Sequence, residues 1–281
     1  MLREADGTRA KDVIARNYED GTHAFVRLGG EPGRERRGKR AEIGGEWELS
    51  LDAVPTLRLP FDAGGACRVA LEKPMDGLRV AARKGTRLLV DGRDVRTESP
   101  CRLLRPSFDE TYAESEAFAL SAGEHEFRLA DGKRDGSWFL PAAFLAGGFA
   151  ERGGRLSPCP RIVAAGSLAS AELAGYCGRA TWKKVVDVPA GGDVRLVLET
   201  GGHFARVKLG GCDLGAIGWG DFSWKVPEGL RGRNMELEIS VYTSLLPLFG
   251  SPEPPDGVKY RGATKARACG ILAPPEWLVD E

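Results

Sequence analysis

The sequence lacks the features that mark several large classes of protein. Among its 281 residues, 40 basic and 40 acidic side chains cancel, whereas a general binder of nucleic acid or anionic membrane needs a basic excess. No segment approaches the ~18 consecutive apolar residues that span a membrane, and the charged start lacks the apolar centre of a secretory signal. We therefore expect no nucleic-acid or membrane partner, and either an intracellular protein or part of a longer chain. The compartment stays undefined.

Residues for metal, redox and nucleophilic chemistry are also scarce. The chain has three histidines, and none of its six cysteines forms a CxxC pair or lies at zinc-ligand spacing from a histidine. His125, in the alternating segment GEHEFRL, is expected to face solvent. Nucleophile-elbow, phosphate-loop, dinucleotide-binding and HExxH motifs are missing from the sequence. We expect free cysteine thiols and no cofactor, and the sequence by itself names no reaction.

Turn-forming residues are abundant: there are 38 glycines and 17 prolines, and only 8% of residues are aromatic. Strand-like segments recur about every 8 to 12 residues from residue 46 onward, which is typical of β-sandwiches. The sequence therefore predicts an all-β protein of two tandem antiparallel β-sandwich domains. The predicted divisions are an N-terminal strand and loop over 1–45, a diverged first sandwich over 46–154, a second sandwich over 155–250 and a Pro-rich tail over 251–281. We expect Trp277 to anchor that tail on a sandwich.

A two-part pattern occurs twice. In the first copy, GTRLLVDGRDV (85–95) is followed by LSAGEHEFRLA (120–130); in the second, GHFARVKLGGCDLG (202–215) is followed by LRGRNMELEISV (230–241). Each copy predicts a strand, a tight Asp-Gly or Gly-Gly turn, a second strand and a later strand that follows a glycine. The first copy has the longer separation between its two parts, because an insertion lies around TESPCRLLRP.

The second half resembles the galactose-binding-like, jelly-roll accessory domain of large glycoside hydrolases, especially family 2-like and rhamnosidase-like enzymes. Four segments carry the resemblance in the family's order: GYCGRATWKKVVDVP, RLVLET, ARVKLGGCDLGAIGW and RGRNMELEISVY. Gly210 stands where the family usually has the hairpin asparagine, and glycine suits the same positive-φ turn. The first half resembles this domain more weakly. The resemblance implies a C-terminal portion without a catalytic barrel, which binds glycan or braces a catalytic domain of the same polypeptide.

Aromatic residues are the main candidates for sugar contact, because the C–H face of a sugar packs on a ring while its hydroxyls reach polar groups nearby. Trp219 and Trp224 flank Asp221 in GWGDFSW, so a loop there places a ring beside a carboxylate. Tyr176 in GYCG and His203 before FARVKL complete the set. The alternative for the tryptophan is packing beneath the hairpin, and the alternative for His203 is capping a turn.

The densest acidic segment is SFDETYAESE, which holds Asp109, Glu110 and Glu114 around Tyr112. The simplest interpretation is a solvated loop or sandwich rim. A structural calcium site is the second, because hard carboxylate oxygens cluster there. A catalytic pair is the third, since glycoside hydrolysis needs two carboxylates about 5 to 9.5 Å apart. The alternatives to an accessory module are therefore a self-contained glycoside-active enzyme at this segment and a purely structural assembly protein.

Overall fold

A computed structural model describes residues 38–101, 111–131, 141–218, 220–243 and 268–280, and these ranges confirm the all-β prediction. One short 3-10 helix covers Glu228–Leu230. Within the described ranges, no helix is long and apolar enough to cross a membrane. In chain order the strands are β1 (Lys39–Glu42), β2 (Glu46–Leu51), β3 (Thr56–Arg58), β4 (Ala66–Leu71), β5 (Met75–Arg83), β6 (Leu88–Val90), β7 (Arg93–Val95), β8 (Thr97–Pro100), β9 (Tyr112–Ser115), β10 (Phe118–Leu120), β11 (Gly123–Leu129), β12 (Ala143–Ala146), β13 (Phe149–Arg152), β14 (Arg155–Pro158), β15 (Ile162–Ala164), β16 (Arg179–Asp187), β17 (Asp193–Val197), β18 (Ala205–Leu209), β19 (Cys212–Ile217), β20 (Ser223–Lys225), β21 (Asn234–Tyr242) and β22 (Glu276–Asp280).

Two sheets pack around the first hydrophobic core. One has the strand order β3-β12-β5-β9-β8, with β10 also paired to β5, and the other has the order β13-β14-β4-β11-β6-β7. Strands β4 and β14 run parallel. Residues that alternate along each strand fill the core, because successive side chains point to opposite faces. Phe127 and Leu129 of β11 face inward on either side of the exposed Arg128, and they meet Val80 and Leu145 of the other sheet.

Two further sheets pack around the second core. Their strand orders are β15-β2-β16-β21-β18-β19 and β1-β22-β17-β20. The pairing of β16 with β21 is the longest of the described ladders and runs from Arg179 opposite Tyr242 to Asp187 opposite Asn234. Large indole rings fill much of the space between these sheets, since four tryptophans are at most 4% exposed: Trp47, Trp182, Trp224 and Trp277.

The first core is inserted into the second along the chain. Strand β2 was placed at the start of the first sandwich by the sequence, but it pairs with β15 and β16, and Trp47 and Leu49 lie in the second core. Strand β14, assigned to the second sandwich, pairs with β4 and β13, and its Leu156 lies in the first core. Alternation shows which residues of a strand are buried but not which strand it joins, so the sequence could not give this nesting.

The C-terminal segment was expected to be a Pro-rich tail packed on a sandwich, and its described end is the strand β22. This strand pairs with β1 on one side and with β17 on the other. Trp277 of β22 is 4% exposed and lies in the second core. The expectation of an anchoring tryptophan is thus met by a strand that joins the two ends of the described chain in one sheet. The division into domains at the predicted residue numbers stays a prediction.

The two-part sequence pattern corresponds to two sets of strands in the same arrangement. Strands β4, β11, β6 and β7 lie side by side in that order around the first core, and β16, β21, β18 and β19 do so around the second. In each set, the first strand of the hairpin (β6 or β18) pairs with the later strand of the pattern (β11 or β21). The repeat seen in the sequence is therefore a repeat of local topology.

The register of the two hairpins also agrees. Both turns have two residues of positive φ, at Asp91 (49°) and Gly92 (77°) and at Gly210 (56°) and Gly211 (78°), as type I′ turns require. The backbone N–H of Asp91 donates to the carbonyl of Glu126 at 2.9 Å, and that of Gly210 to the carbonyl of Glu236 at 2.8 Å. The two turns can therefore be compared residue by residue.

Candidate functional site

Trp224 belongs to the core. It lies on β20, is 3% exposed and donates its indole N–H to the carbonyl of Gly215 at 3.1 Å. The ring of Phe222 packs at a tilt against it, with 6.2 Å between ring centroids. Trp224 therefore holds β19 to β20, which matches the alternative interpretation of packing beneath the hairpin. Trp219 lies outside the described residues.

Tyr176 is also buried, at 1% exposure. Its hydroxyl donates to the carbonyl of Arg179 at 2.9 Å and accepts from the backbone N–H groups of Asp52 and Ala53 at 3.2 Å. Burial raises the pKa of this phenol, so the hydroxyl keeps its proton. Tyr176 fixes the chain after β2 against the start of β16, and its ring offers little surface to a ligand.

His203 and Asp221 lie in two neighbouring loops at one end of the second core. The loops are joined by the backbone N–H of Leu198, which donates to the carbonyl of Phe222 at 2.9 Å. The carbonyl of His203 accepts from the hydroxyl of Thr200 at 2.9 Å, so this residue takes part in a turn, as one of the two sequence interpretations expects. Asp221 is exposed. These two candidates are brought to the same end of the sandwich.

An aromatic pair that the sequence analysis missed lies at this end. Phe204, just before β18, is 44% exposed, and its ring meets that of Tyr242 edge-on with 5.1 Å between centroids. The backbone N–H of Tyr242 donates to the carbonyl of Phe204 at 2.9 Å. The Phe204 ring also lies against Gly218, since a Cβ at that residue would be 3.2 Å from Cδ2 of the ring. The available signal was alternation: Phe204 shares the outward face with Arg206, opposite the buried residues of β18.

The outward face of the same sheet is polar and charge-balanced. Glu238 on β21 accepts from Lys208 at 2.9 Å and pairs with Lys183 at 3.0 Å. The hydrogen bond from Lys208 lowers the pKa of Glu238 despite partial burial. Arg206 pairs with Asp213 across β18 and β19. The aromatic pair therefore lies beside a row of fixed charged groups that can exchange hydrogen bonds with a polar ligand.

The candidate acidic site is only partly within the described ranges, because Asp109 and Glu110 lie outside them. Tyr112 and Glu114 lie on β9, and both are buried rather than on a solvated rim, at 0% and 5% exposure. Arg79 pairs with Glu114 at 3.2 Å. The Tyr112 hydroxyl donates to the carbonyl of Pro141 at 2.7 Å, and burial raises its pKa to about 12. The catalytic pair at this segment stays a prediction.

The metal and thiol expectations have different outcomes. No cluster of three or more potential metal ligands occurs in the described ranges, and the calcium prediction rests largely on the undescribed Asp109 and Glu110, so it stays a prediction.

All six cysteines are described, and all are free thiols. Burial raises the pKa of Cys67 to about 11, so this thiol remains protonated near neutral pH. Free thiols were the expected state.

His125 was expected to face solvent, and this is wrong: it is 7% exposed and points to the same side of β11 as Phe127. Its Nδ1 lies 2.7 Å from a carboxylate oxygen of Asp91, and its Nε2 lies 2.9 Å from the carbonyl of Ser121. The other carboxylate oxygen of Asp91 accepts from the backbone N–H of Glu126 at 2.9 Å. The sequence does not predict this cluster, because Asp91 and His125 come together only when β6 pairs with β11.

The cluster forms one wall of a cavity of about 490 Å³ between the β6–β7 hairpin and the segment from Phe118 to Ser121. Burial by itself would lower the pKa of His125, but the hydrogen bonds to Asp91 and to the Ser121 carbonyl outweigh it and raise that pKa. Burial would likewise raise the pKa of Asp91, yet its hydrogen bond with His125 lowers it. Both ring nitrogens are engaged, so His125 has no nitrogen available to act as a general base.

Comparisons with known proteins give weak structural likenesses. No family model and no curated protein matches the chain. A rhamnosidase from Novosphingobium sp. PP1Y is 15% identical with a TM-score of 0.35 over 82% of this chain and 24% of its own. A Faecalibacterium prausnitzii β-glucuronidase is 14% identical with a TM-score of 0.34 over 89% and 33%. An anti-sigma factor domain-containing protein is 11% identical with a TM-score of 0.23 over 78% and 84%. The chain thus spans a third or less of the two glycosidases.

Proposed function

We propose that this chain is a non-catalytic, carbohydrate-associated β-sandwich module that accompanies a glycoside-hydrolase-type catalytic domain. It binds glycan at the end of the second core, where Phe204 and Tyr242 lie beside the loops of His203 and Asp221. The exposed ring of Phe204, packed edge-on against the half-buried Tyr242, is the observation that carries the proposal. An exposed ring next to polar groups suits a sugar, whose C–H face is apolar and whose rim is hydroxylated.

The arrangement of the second core supports the same function. The segments that resemble the jelly-roll accessory domain form β16, β18, β19 and β21 of one sheet and β17 of the other, and the β18–β19 hairpin lies beside the closing strand β21. Of the buried candidates, Trp224 holds β19 to β20, on either side of the Asp221 loop, and Tyr176 fixes the start of β16. Rigid support of this kind lowers the entropy lost when a loop binds a ligand.

The test is glycan binding by the full chain, first on a glycan array and then by affinity electrophoresis with the glycan that scores highest. Phe204→Ala should weaken binding about 5- to 10-fold, because one aromatic contact contributes about 1 to 1.5 kcal/mol. Trp219→Ala tests the undescribed part of the same loop. Val185→Ala is the matched control, since Val185 is also an exposed apolar residue of this sandwich, at 60% exposure, but lies on β16 away from these loops.

Two results would replace the proposal. Turnover of an aryl glycoside or oligosaccharide that is lost in Asp109→Ala or Glu110→Ala would make the chain an enzyme. A stable oligomer without affinity for any glycan on the array would make it a structural assembly protein. Equal weakening of glycan binding by Val185→Ala and Phe204→Ala would show that the aromatic pair is not the binding site.

A further inference from the structure

The two hydrogen-bond partners of His125 match a doubly protonated ring. The ring nitrogens face a carboxylate oxygen of Asp91 at 2.7 Å and the carbonyl oxygen of Ser121 at 2.9 Å. Both partners can only accept hydrogen bonds when Asp91 is ionised. Each ring nitrogen must therefore carry a proton, and the cluster is complete only when His125 is an imidazolium. In a neutral ring, one nitrogen would carry a lone pair and would face the lone pair of an oxygen instead of donating a hydrogen bond to it.

The cluster adds side-chain hydrogen bonds between the β6–β7 turn, β11 and the connection before β11. Asp91 is the first residue of the β6–β7 turn and has φ of 49°, which is uncommon for a residue with a side chain. Its carboxylate holds the turn to β11 through His125 and the backbone N–H of Glu126. Ser121 belongs to the connection between β10 and β11. Among the described strands, β7 is at the edge of its sheet and pairs with β6 alone.

The residues that face His125 can be named for each element packed against it. The hairpin contributes the anion Asp91, and β7 contributes Arg93 and Asp94 to the same cavity. The residue opposite His125 on β4 is the apolar Val69. Glu124 and Glu126 flank His125 on its own strand. Asp94 already pairs with Arg87 at 3.0 Å, so Asp91 is the carboxylate that controls the charge of the ring.

We propose that Asp91, His125 and Ser121 form a proton-operated clamp on the β6–β7 hairpin. The clamp is closed while both ring nitrogens carry protons, and it opens when His125 releases one proton to solvent. Opening frees the hairpin, which is one wall of the cavity of about 490 Å³, so the shape of that cavity becomes dependent on pH. This inference does not rest on the proposed carbohydrate binding, and it places a pH response in the first core.

The second hairpin offers an internal control. At the positions equivalent to Asp91 and His125 it has Gly210 and Met235, and a Cβ at Gly210 would be 2.8 Å from the sulfur of Met235. Neither residue titrates, so this turn has no proton-dependent contact of the same kind. Backbone geometry is otherwise matched between the two turns. Any pH effect confined to the first hairpin can thus be assigned to the cluster.

The test is amide hydrogen exchange of the full chain from pH 5.5 to 8.5, read as the ratio of protection between residues 88–95 and 205–217. Taking the ratio removes most of the intrinsic pH dependence of exchange. We expect the ratio to fall as pH rises from about 6.5 towards the folded-state pKa of His125, by up to tenfold per pH unit, and to level off above that pKa. In the double variant His125→Met with Asp91→Gly, which copies the second hairpin, the ratio should not depend on pH. Unchanged protection of residues 66–71 in the first core and 205–217 in the second would show that both cores of this variant fold.

A second measurement on the unaltered chain needs no variant. The nitrogen chemical shifts of the His125 ring, assigned by comparison with His125→Gln, should show two protonated nitrogens at pH 6.5 and below. A ring that is neutral at that pH would overturn the proposal. So would a protection ratio that stays constant from pH 5.5 to 8.5 while the ring titrates within that range.

Discussion

The two hairpins share one backbone and differ in the chemistry that stabilises it. Both turns place two residues at positive φ and donate the same backbone hydrogen bond to the closing strand. The second hairpin meets the backbone requirement with Gly210 and covers the turn with the flexible side chain of Met235. The first accepts the less favourable Asp91 and recovers stability through its contacts with His125. Repeated backbone geometry therefore does not imply repeated chemistry.

The two cores can be compared most directly by removing equivalent side chains. Phe127 and Leu237 occupy the same register position, opposite Val90 and Leu209, and each is 0% exposed. We expect Phe127→Ala to lower the free energy of unfolding by about 3 to 5 kcal/mol and Leu237→Ala by about 2 to 5 kcal/mol, because each leaves a cavity. Urea denaturation followed by circular dichroism measures both.

Tryptophan fluorescence shows which core has been weakened. The four described tryptophans all lie in the second core, so emission should follow the unfolding of that core once the other two, Trp138 and Trp219, are replaced by phenylalanine. We expect Leu237→Ala to shift the fluorescence transition more than Phe127→Ala does. Equal shifts for the two variants would mean that the inserted core and the surrounding core unfold as one unit, and the comparison between them would then apply to local structure only.

The turns themselves give the next largest effect. Asp91→Ala should cost about 1 to 3 kcal/mol, because it leaves the buried His125 and the N–H of Glu126 without their acceptor. Gly210→Ala should cost about 1 kcal/mol for the positive φ of 56°, since the Met235 side chain can move aside. Thermal unfolding of both variants at pH 6 checks this order. A larger loss for Gly210→Ala would show that backbone freedom outweighs the cluster.

The sequence predicted local structure better than it predicted strand partners. The Asp-Gly and Gly-Gly turns, the hairpins and the closing strands lie where the pattern indicated, because turn chemistry and alternation are local properties. The sequence grouped Glu46–Leu51 with the strands that follow it, whereas its partners β15 and β16 lie more than 100 residues further along. Pairing over such distances depends on packing in three dimensions, which a local pattern does not contain.

The sequence grouped loops that lie close together in the structure, but it did not predict which of their side chains are exposed. The loops around His203 and Asp221 do meet at one end of the second core, yet the exposed ring described there is that of Phe204. Tyr176 and Trp224 were chosen because aromatic residues near loops are common in binding sites, but burial decides their role. Exposure depends on which neighbours cover a ring, and the sequence does not specify those neighbours.

The pH dependence of stability should differ between the two hairpins. The pKa of His125 is raised above its ordinary value of 6.5, so its contribution is complete below that value and is lost as pH rises through the folded-state pKa. The pKa of Asp91 is lowered from 3.8, so its contribution is present above that value and is lost in stronger acid. The free energy of unfolding of the unaltered chain, minus that of His125→Met with Asp91→Gly, should therefore be greatest between about pH 4 and 6.5.

Urea titrations at several pH values measure this difference, and Met235→Leu is the control in the second hairpin. Replacing Met235 changes no ionisable group, so its effect should be the same at every pH. A difference curve that rises above pH 7 would contradict the assigned protonation of His125. A flat curve would mean that the cluster persists with a neutral ring.

The smallest effects should come from the ion pairs that the two hairpins share. Arg87 contacts Asp94 through one nitrogen at 3.0 Å, whereas Arg206 reaches Asp213 through both Nε and Nη2. The hydrogen bond from Arg206 lowers the pKa of Asp213 to about 2. Double-mutant cycles with alanine should therefore give a larger coupling energy for the second pair, because two-point contacts lose less orientational freedom per bond.

Both couplings should fall towards zero in ~1 M salt, where exposed charges are screened within about 3 Å. A coupling in the first hairpin that survives high salt would show that Asp94 belongs to the buried cluster around His125 rather than to the surface.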